Sequence, residues 1–232
     1  MKSLSFYEQA GIVIPGAVLL FGIAVLLPGS RSLLAIDGVT IGGLGLFLIL
    51  AYALGHAVAA VGNVIEHVFW ATFGGMPSDW ITYDPPKLLA AEQVEQLRVR
   101  VSERIGFECP APRGLPRARW SPVFAQVYRD ALVSAPGRIE TFNGNYGLNR
   151  GLAASTLCLI PVALLAAPDQ WRWPMVGGAA LAVAVYLYRM YRFGVHFARE
   201  VYLGFLITDR PLARRNDTAQ VAADQRDTSK SS

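Results

Sequence analysis

The sequence predicts an all-α polytopic membrane protein: four transmembrane helices, with a cytoplasmic helical cap formed by extended spans 2 and 4 and two loop helices. Three observations predict it. Of 232 residues, 53% are hydrophobic and only 16% charged, whereas an ordinary soluble domain carries about 25% charge. The charges are not spread thinly; almost all of them fall outside four apolar blocks. Two of those blocks are longer than a bilayer needs, and two short amphipathic segments lie between the second and third.

The first block, "AGIVIPGAVLLFGIAVLL" (10–27), would cover about 27 Å as a helix, close to the roughly 30 Å hydrocarbon core. A cleaved signal sequence is the competing reading. Its n-region would offer only Lys2, and no small-x-small site follows "LLPGSRS", so a retained span is expected. The second block stays helix-compatible from Val39 to Trp70, or about 48 Å, and must protrude on one side. The third, "GLAASTLCLIPVALLAA" (151–167), is short for a span and should begin before Gly151. The fourth, from Trp173 to about Leu206, is again too long and should protrude.

Charge sets the orientation, because cytoplasmic flanks collect Lys and Arg. The links at 28–38 and 168–172 hold one Arg each, whereas 75–150 holds ten basic residues and more follow Arg189. Both termini and the middle segment are therefore expected in the cytoplasm, in an inner (plasma) membrane. Trp171 and Trp173 would form the outer aromatic belt, with Tyr186, Tyr188 and Tyr191 at the inner one. The net charge of +4 then serves anionic inner-leaflet lipids, and no nucleic-acid motif competes for it. The excess of 18 Arg over 3 Lys has a base-composition explanation and gets no functional reading.

In the middle segment, Asp84-Pro85-Pro86 predicts a helix start and Gly106 a C-terminal cap, with Val94, Leu97, Val101 and Ile105 on one apolar face. A Pro/Arg-rich loop, "ECPAPRGLPRAR", follows. Ser121-Pro122 then reads as the N-cap and first position of a second helix, ending near Pro136-Gly137. Two such helices are too little for a core of their own, so the protruding ends of the second and fourth spans are expected to complete one. The tail from Asp209 has almost nothing to bury and is expected to be disordered. The organisation is thus 1–74 for spans 1 and 2, 75–150 for the cytoplasmic segment, 151–208 for spans 3 and 4, and 209–232 for the tail. Cys109, in the loop, and Cys158, in a span, are expected to be free thiols, with no zinc-site spacing around either.

The candidate site is a polar layer at the inner interface. Tyr52, His56, Asn63 and His67 fall within about 60° of one another on the second helix, and Glu66 flanks them. On the fourth, Arg189, Arg192, His196 and Arg199 make a second stripe beside Glu200. The approach to the third span, "RIETFNGNYGLNRG", adds Arg138, Glu140, Asn143, Asn145, Tyr146, Asn149 and Arg150, and Tyr7, Glu8 and Gln9 precede the first span. All four helices would then deliver polar groups to one layer. The structural reading makes them snorkelling or inter-helix groups, with Glu66 and Glu140 as counter-charges for Arg189, Arg192 or Arg150. The sharper reading is a ligand, lipid-headgroup or metal site, since ionisable groups at membrane depth often mark function. The Asn/Gly density in "ETFNGNYGLNRG" is unfavourable to helix and reads as a broken helix entry or a contact site. Glycines in the spans (Gly11, Gly16, Gly42, Gly43, Gly45, Gly177, Gly178) and the proline Pro15 allow close helix contact.

No H-E-x-x-H spacing and no positioned Ser/His/Asp set is present, so no metal, cofactor or nucleophile is predicted. Three classes remain. The first is a non-enzymatic membrane protein acting by assembly (an oligomeric scaffold, channel-like effector or sensor) whose cap receives a signal or a cytoplasmic protein partner. The second is an enzyme acting on a lipid or isoprenoid headgroup at the inner leaflet. A carrier is the weakest, because four spans are few and none holds a mid-membrane charge.

Overall fold

The computed structural model describes residues 6–27, 41–83, 85, 87–107 and 117–208. The link 28–38, Asp84 and Pro86, most of the loop around Cys109, and the tail from Asp209 lie outside the described residues. Tyr7, Glu8 and Gln9 are described in backbone only. The described residues are helical, with no strand: α1 (Phe6–Leu26), α2 (Ile41–Thr72), a 3-10 turn (Pro77–Thr82), α3 (Ala91–Ile105), α4 (Arg117–Ser134), α5 (Pro136–Ala166) and α6 (Asp169–Ile207). The all-α expectation holds. Among the described residues, two helices, α2 and α5, are long and apolar enough to cross a membrane, and the apolar part of α1, Ala10–Leu26, is shorter.

The chain divides into two compact units. The first is Met1–Met76 with Gly137–Phe197, and the second is Pro77–Pro136 with Ala198–Ser232. Helix α6, 39 residues long, is unbroken and supplies residues to both.

In the first unit, α1 and α2 cross at backbone contact. A Cβ at Gly16 would stand 1.8 Å from the Ala51 carbonyl oxygen, and one at Gly55 2.2 Å from that of Ile12. Only glycine admits this approach, which is how small residues hold helices together in lipid. Helix α5 packs on α1 through Gly151, where a Cβ would meet the Pro15 ring at 2.5 Å. One turn on, the Ser155 hydroxyl donates to the Pro15 carbonyl at 2.7 Å and to its own Gly151 carbonyl at 3.0 Å. Leu19, Val58 and Ala154 form the core there, with Leu54, Cys158 and Leu159 against it. Of the glycines the sequence singles out, Gly45, Gly177 and Gly178 face open space, where an added Cβ would meet nothing within 4 Å. Helix α2 ends at Gly74 and Gly75, whose φ values of 85° and 122° few other residues tolerate. The Gly75 N–H donates to the Trp70 carbonyl at 2.8 Å.

In the second unit, α3 buries Val94, Leu97 and Val101, the expected face, and stops at Gly106 (φ 69°), whose N–H donates to Ser102 O. Its start differs from expectation. The chain turns through Pro77–Thr82 first, and α3 begins only at Ala91, where the Gln93 side chain accepts the Ala90 N–H at 3.1 Å. Helix α4 begins at Arg117, before Ser121, and holds Pro122 inside it. Trp120 is what fixes this early turn. It is buried, and its Nε1–H is shared between Ser78 O at 3.0 Å and the Tyr202 hydroxyl at 3.2 Å. The end of α6 fills the core with Val201, Tyr202 and Phe205, all fully buried. Arg100 and Arg104 donate to the Thr208 carbonyl beyond α6, and Arg104 lies over the Phe205 ring.

Candidate functional site

The residues of the expected polar layer that belong together are on α2 and α5. Gly62, Glu66 and Trp70 recur every fourth residue and share one face of α2. Tyr146 and Arg150 do the same on α5. Gly62 leaves room for the Arg150 stem, since a Cβ there would stand 3.3 Å from Arg150 Cγ. The guanidinium then reaches one turn along α2 and donates to the Glu66 carboxylate, with both side chains mostly buried. A turn further on, Trp70 Nε1–H donates to the Tyr146 hydroxyl at 2.8 Å. The Arg150–Glu66 and Trp70–Tyr146 pairs therefore follow one another along α2 and α5 as a short polar chain.

Aromatic rings wall this chain. Trp70 stacks on Tyr191 with centroids 5.7 Å apart, and Phe73 lies 5.1 Å from the same tyrosine. Gly194 on α6 admits the wall, because a Cβ there would be 2.9 Å from the Trp70 ring and 3.1 Å from Tyr146. Trp70, Phe73, Gly62 and Gly194 were not singled out by the sequence reading of the layer. The four-residue spacing 62–66–70 was the signal available for two of them.

The Asn/Gly run is not a broken entry. It lies inside α5, a continuous 31-residue helix. Thr141 Oγ1, Asn145 Nδ2 and Asn149 Nδ2 each donate to the carbonyl four residues back, on Gly137, Thr141 and Asn145, at 2.6, 2.8 and 2.7 Å. Side chains that would compete with the helix instead bond along it. The ladder ends at buried Asn149, whose Oδ1 accepts from Arg189 Nε at 3.2 Å. Arg189 also lies over the Phe193 ring.

The remaining candidates do not join this network. Glu66 takes Arg150 and no fourth-helix arginine as its partner. Glu140 and Arg192 are exposed, with no ion pair among the described residues. His196 stacks on Phe142 at 5.4 Å. Arg199 belongs to the second unit and donates to Leu88 O at 3.3 Å. His56, Asn63 and His67 are exposed on the face of α2 next to that of Glu66, with Tyr52 edge-on to His56 at 4.7 Å. The expected single layer is thus two sets on one helix. Rotation decides which is which: Glu66 lies about 60–100° around the helix from His56, Asn63 and His67. No group of three or more His, Cys, Asp or Glu that could hold a metal lies among the described residues. No family model, curated protein or solved structure matches the chain.

Proposed function

We propose that the chain is a four-span integral membrane protein of an inner membrane that acts by assembly, as an oligomeric scaffold, channel-like effector or sensor. Both termini are cytoplasmic, and the second unit is a cytoplasmic cap that receives a signal or protein partner. The observation that carries this reading is α6, one unbroken helix whose Met190 is buried in the first unit and whose Val201, Tyr202 and Phe205 are buried in the second. Continuous helices of this kind are the usual route by which a signal received in one part of a membrane protein is passed on.

Two further features support the reading. The first unit turns Phe21, Leu46, Ile49, Val68, Leu165 and Leu181 outward, large apolar side chains that a lipid surround would cover. Its polar groups pair within the chain, Arg150 with Glu66 and Trp70 with Tyr146, which favours a structural role over headgroup chemistry. Native mass spectrometry of the protein in lipid nanodiscs tests the proposal. Oligomers are expected, and a strict monomer overturns it. For orientation, a membrane-impermeant thiol reagent should label Cys109 in inverted vesicles and miss it in intact cells, and the reverse pattern would overturn the topology.

A further inference from the structure

We infer that Arg189 on α6, held by Asn149 on α5, is the binding site for the phosphate of an anionic phospholipid in the inner leaflet, with Arg192 adding charge one turn away. This rests on the four-span topology in the proposed function and not on assembly. The guanidinium is fixed on two sides. Its Nε–H donates to Asn149 Oδ1 at 3.2 Å, and its Cζ lies over the Phe193 ring, 5.4 Å from the centroid. Phe193 in turn packs against Phe142 at 6.4 Å, so α5 backs the ring as well.

Snorkelling does not account for this arrangement. An arginine that only reaches for water keeps its rotamer freedom, and a tether removes that freedom. Here the tether is Asn149, which is 3% exposed and ends the α5 ladder, with its Nδ2 committed to the Asn145 carbonyl at 2.7 Å. That bond fixes which way the amide faces, and so where Oδ1 meets Arg189. With Nε engaged, the two Nη groups of this exposed residue have no partner among the described residues. Arg150, next to Asn149, shows the contrast. Its charge is answered by Glu66, whereas neither Arg189 nor Arg192 has a carboxylate partner among the described residues.

Position selects a lipid phosphate over other anions. Counted at 1.5 Å per residue, Asn149 stands about 26 Å from Ala166 at the end of α5, and Arg189 about 30 Å from Asp169 at the start of α6. Either length is close to a hydrocarbon core of about 30 Å. Trp171 and Trp173 are exposed at the far end and Tyr188 is exposed beside Arg189, as in the aromatic belts at the two faces of a bilayer. The Nη edge thus lies at phosphate level. A planar fork of donors matches the unesterified oxygens of a phosphodiester. With Arg192 nearby and no facing carboxylate, a headgroup of net negative charge is favoured over a zwitterionic one.

The test is native mass spectrometry of the full chain in detergent, titrated with phosphatidylglycerol, phosphatidylcholine or inorganic phosphate. Phosphatidylglycerol should bind more tightly than phosphatidylcholine, and excess inorganic phosphate should not displace it. Arg189→Gln should weaken phosphatidylglycerol binding about ten- to thirtyfold, the weight of hydrogen bonds between ionised groups. Arg192→Gln should weaken it no more than about fivefold, the weight of one charge near an anionic surface. Arg189→Lys keeps the charge but not the fork, so it should bind as poorly as Arg189→Gln. It also decides the matter if Arg189→Gln folds poorly, because a structural or purely coulombic role leaves lipid binding in Arg189→Lys like the parent's. Parent-like binding in Arg189→Lys, equal losses in Arg189→Gln and Arg192→Gln, or no preference for phosphatidylglycerol would overturn the site and leave the topology standing. Displacement by inorganic phosphate would overturn the lipid as its ligand. Reversed labelling of Cys109 would remove the topology and the inner-leaflet placement together.

Discussion

Glu66 and Arg150 give the most direct test of the polar chain. Replacing Glu66 by Gln leaves the Arg150 guanidinium without its counter-charge, and Arg150→Gln strands the carboxylate. Breaking a fully buried pair from one side costs about 3–5 kcal/mol, and an exposed pair is worth at most about 1. The side chains are 26% exposed for Arg150 and 19% for Glu66, nearer the buried limit, and lipid on the outer side supplies little screening. A loss of about 2–3 kcal/mol for each single variant follows. At about 2–4 °C per kcal/mol for a unit of this size, the melting midpoint should drop by about 4–12 °C. The Glu66→Gln, Arg150→Gln double variant strands no charge, so its loss should be smaller than the sum by about 2 kcal/mol. Arg192→Gln, at an exposed residue with no ion-pair partner among the described residues, should melt like the parent. The assay is the fraction of monodisperse protein left after heating through a temperature series in one detergent. Additive losses in the double variant, or normal melting of both singles, would refute the claim that this pair holds α2 to α5.

Two further predictions address the helix crossing and the cap. Gly16→Ala puts a methyl group 1.8 Å from the Ala51 carbonyl oxygen and 2.6 Å from the Gly55 nitrogen. Backbone cannot rotate away, so a loss of at least about 1–3 kcal/mol is expected in the same heating assay. Gly177→Ala, with nothing within 4 Å, should be neutral or stabilising by up to about 1 kcal/mol. In the second unit, burial pushes the Tyr202 phenol up from its ordinary 10.0. The folded state thus holds this proton more tightly than the unfolded chain, and the associated stability is complete below about pH 10 and falls as pH rises above it. Tyr202→Phe should flatten that alkaline decline in melts taken across the range. The cost at neutral pH should be only about 0.5–1.5 kcal/mol, because Ser78 O keeps the Trp120 Nε1–H. An unchanged alkaline profile in Tyr202→Phe would refute the assignment.

What was legible in the sequence was what hydropathy and helix periodicity encode along one chain segment. The second apolar block was expected over Val39–Trp70 and forms Ile41–Thr72. The apolar face of α3 and its Gly106 stop were readable because both are local. The starts of α3 and α4 were not, since Pro and N-cap rules see only neighbours in sequence. Trp120 holds the first turns of α4 through Ser78 and Tyr202, 42 and 82 residues away. Propensity likewise misjudged the Asn/Gly run. It counts Asn as a helix competitor one residue at a time, whereas Thr141, Asn145 and Asn149 at four-residue spacing relay their bonds along the helix.

The partner of Glu66 depended on a quantity that no single segment contains, the rotation of each helix against its neighbours. The angular position of Glu66 on α2 was known, but three arginines on two helices were in reach. Gly62 contributes to the choice, because the Arg150 stem passes where its side chain would be, with Cγ 3.3 Å from a Cβ built there. The same rotation that turns Glu66 toward α5 turns His56 and Asn63 away from it, since about 60–80° separates them on a 100° helix. A helix turned far enough to bring Asn63 to the place of Glu66 against α5 would lose the Glu66–Arg150 coupling, so the melts of the two single variants and the double variant read that rotation directly.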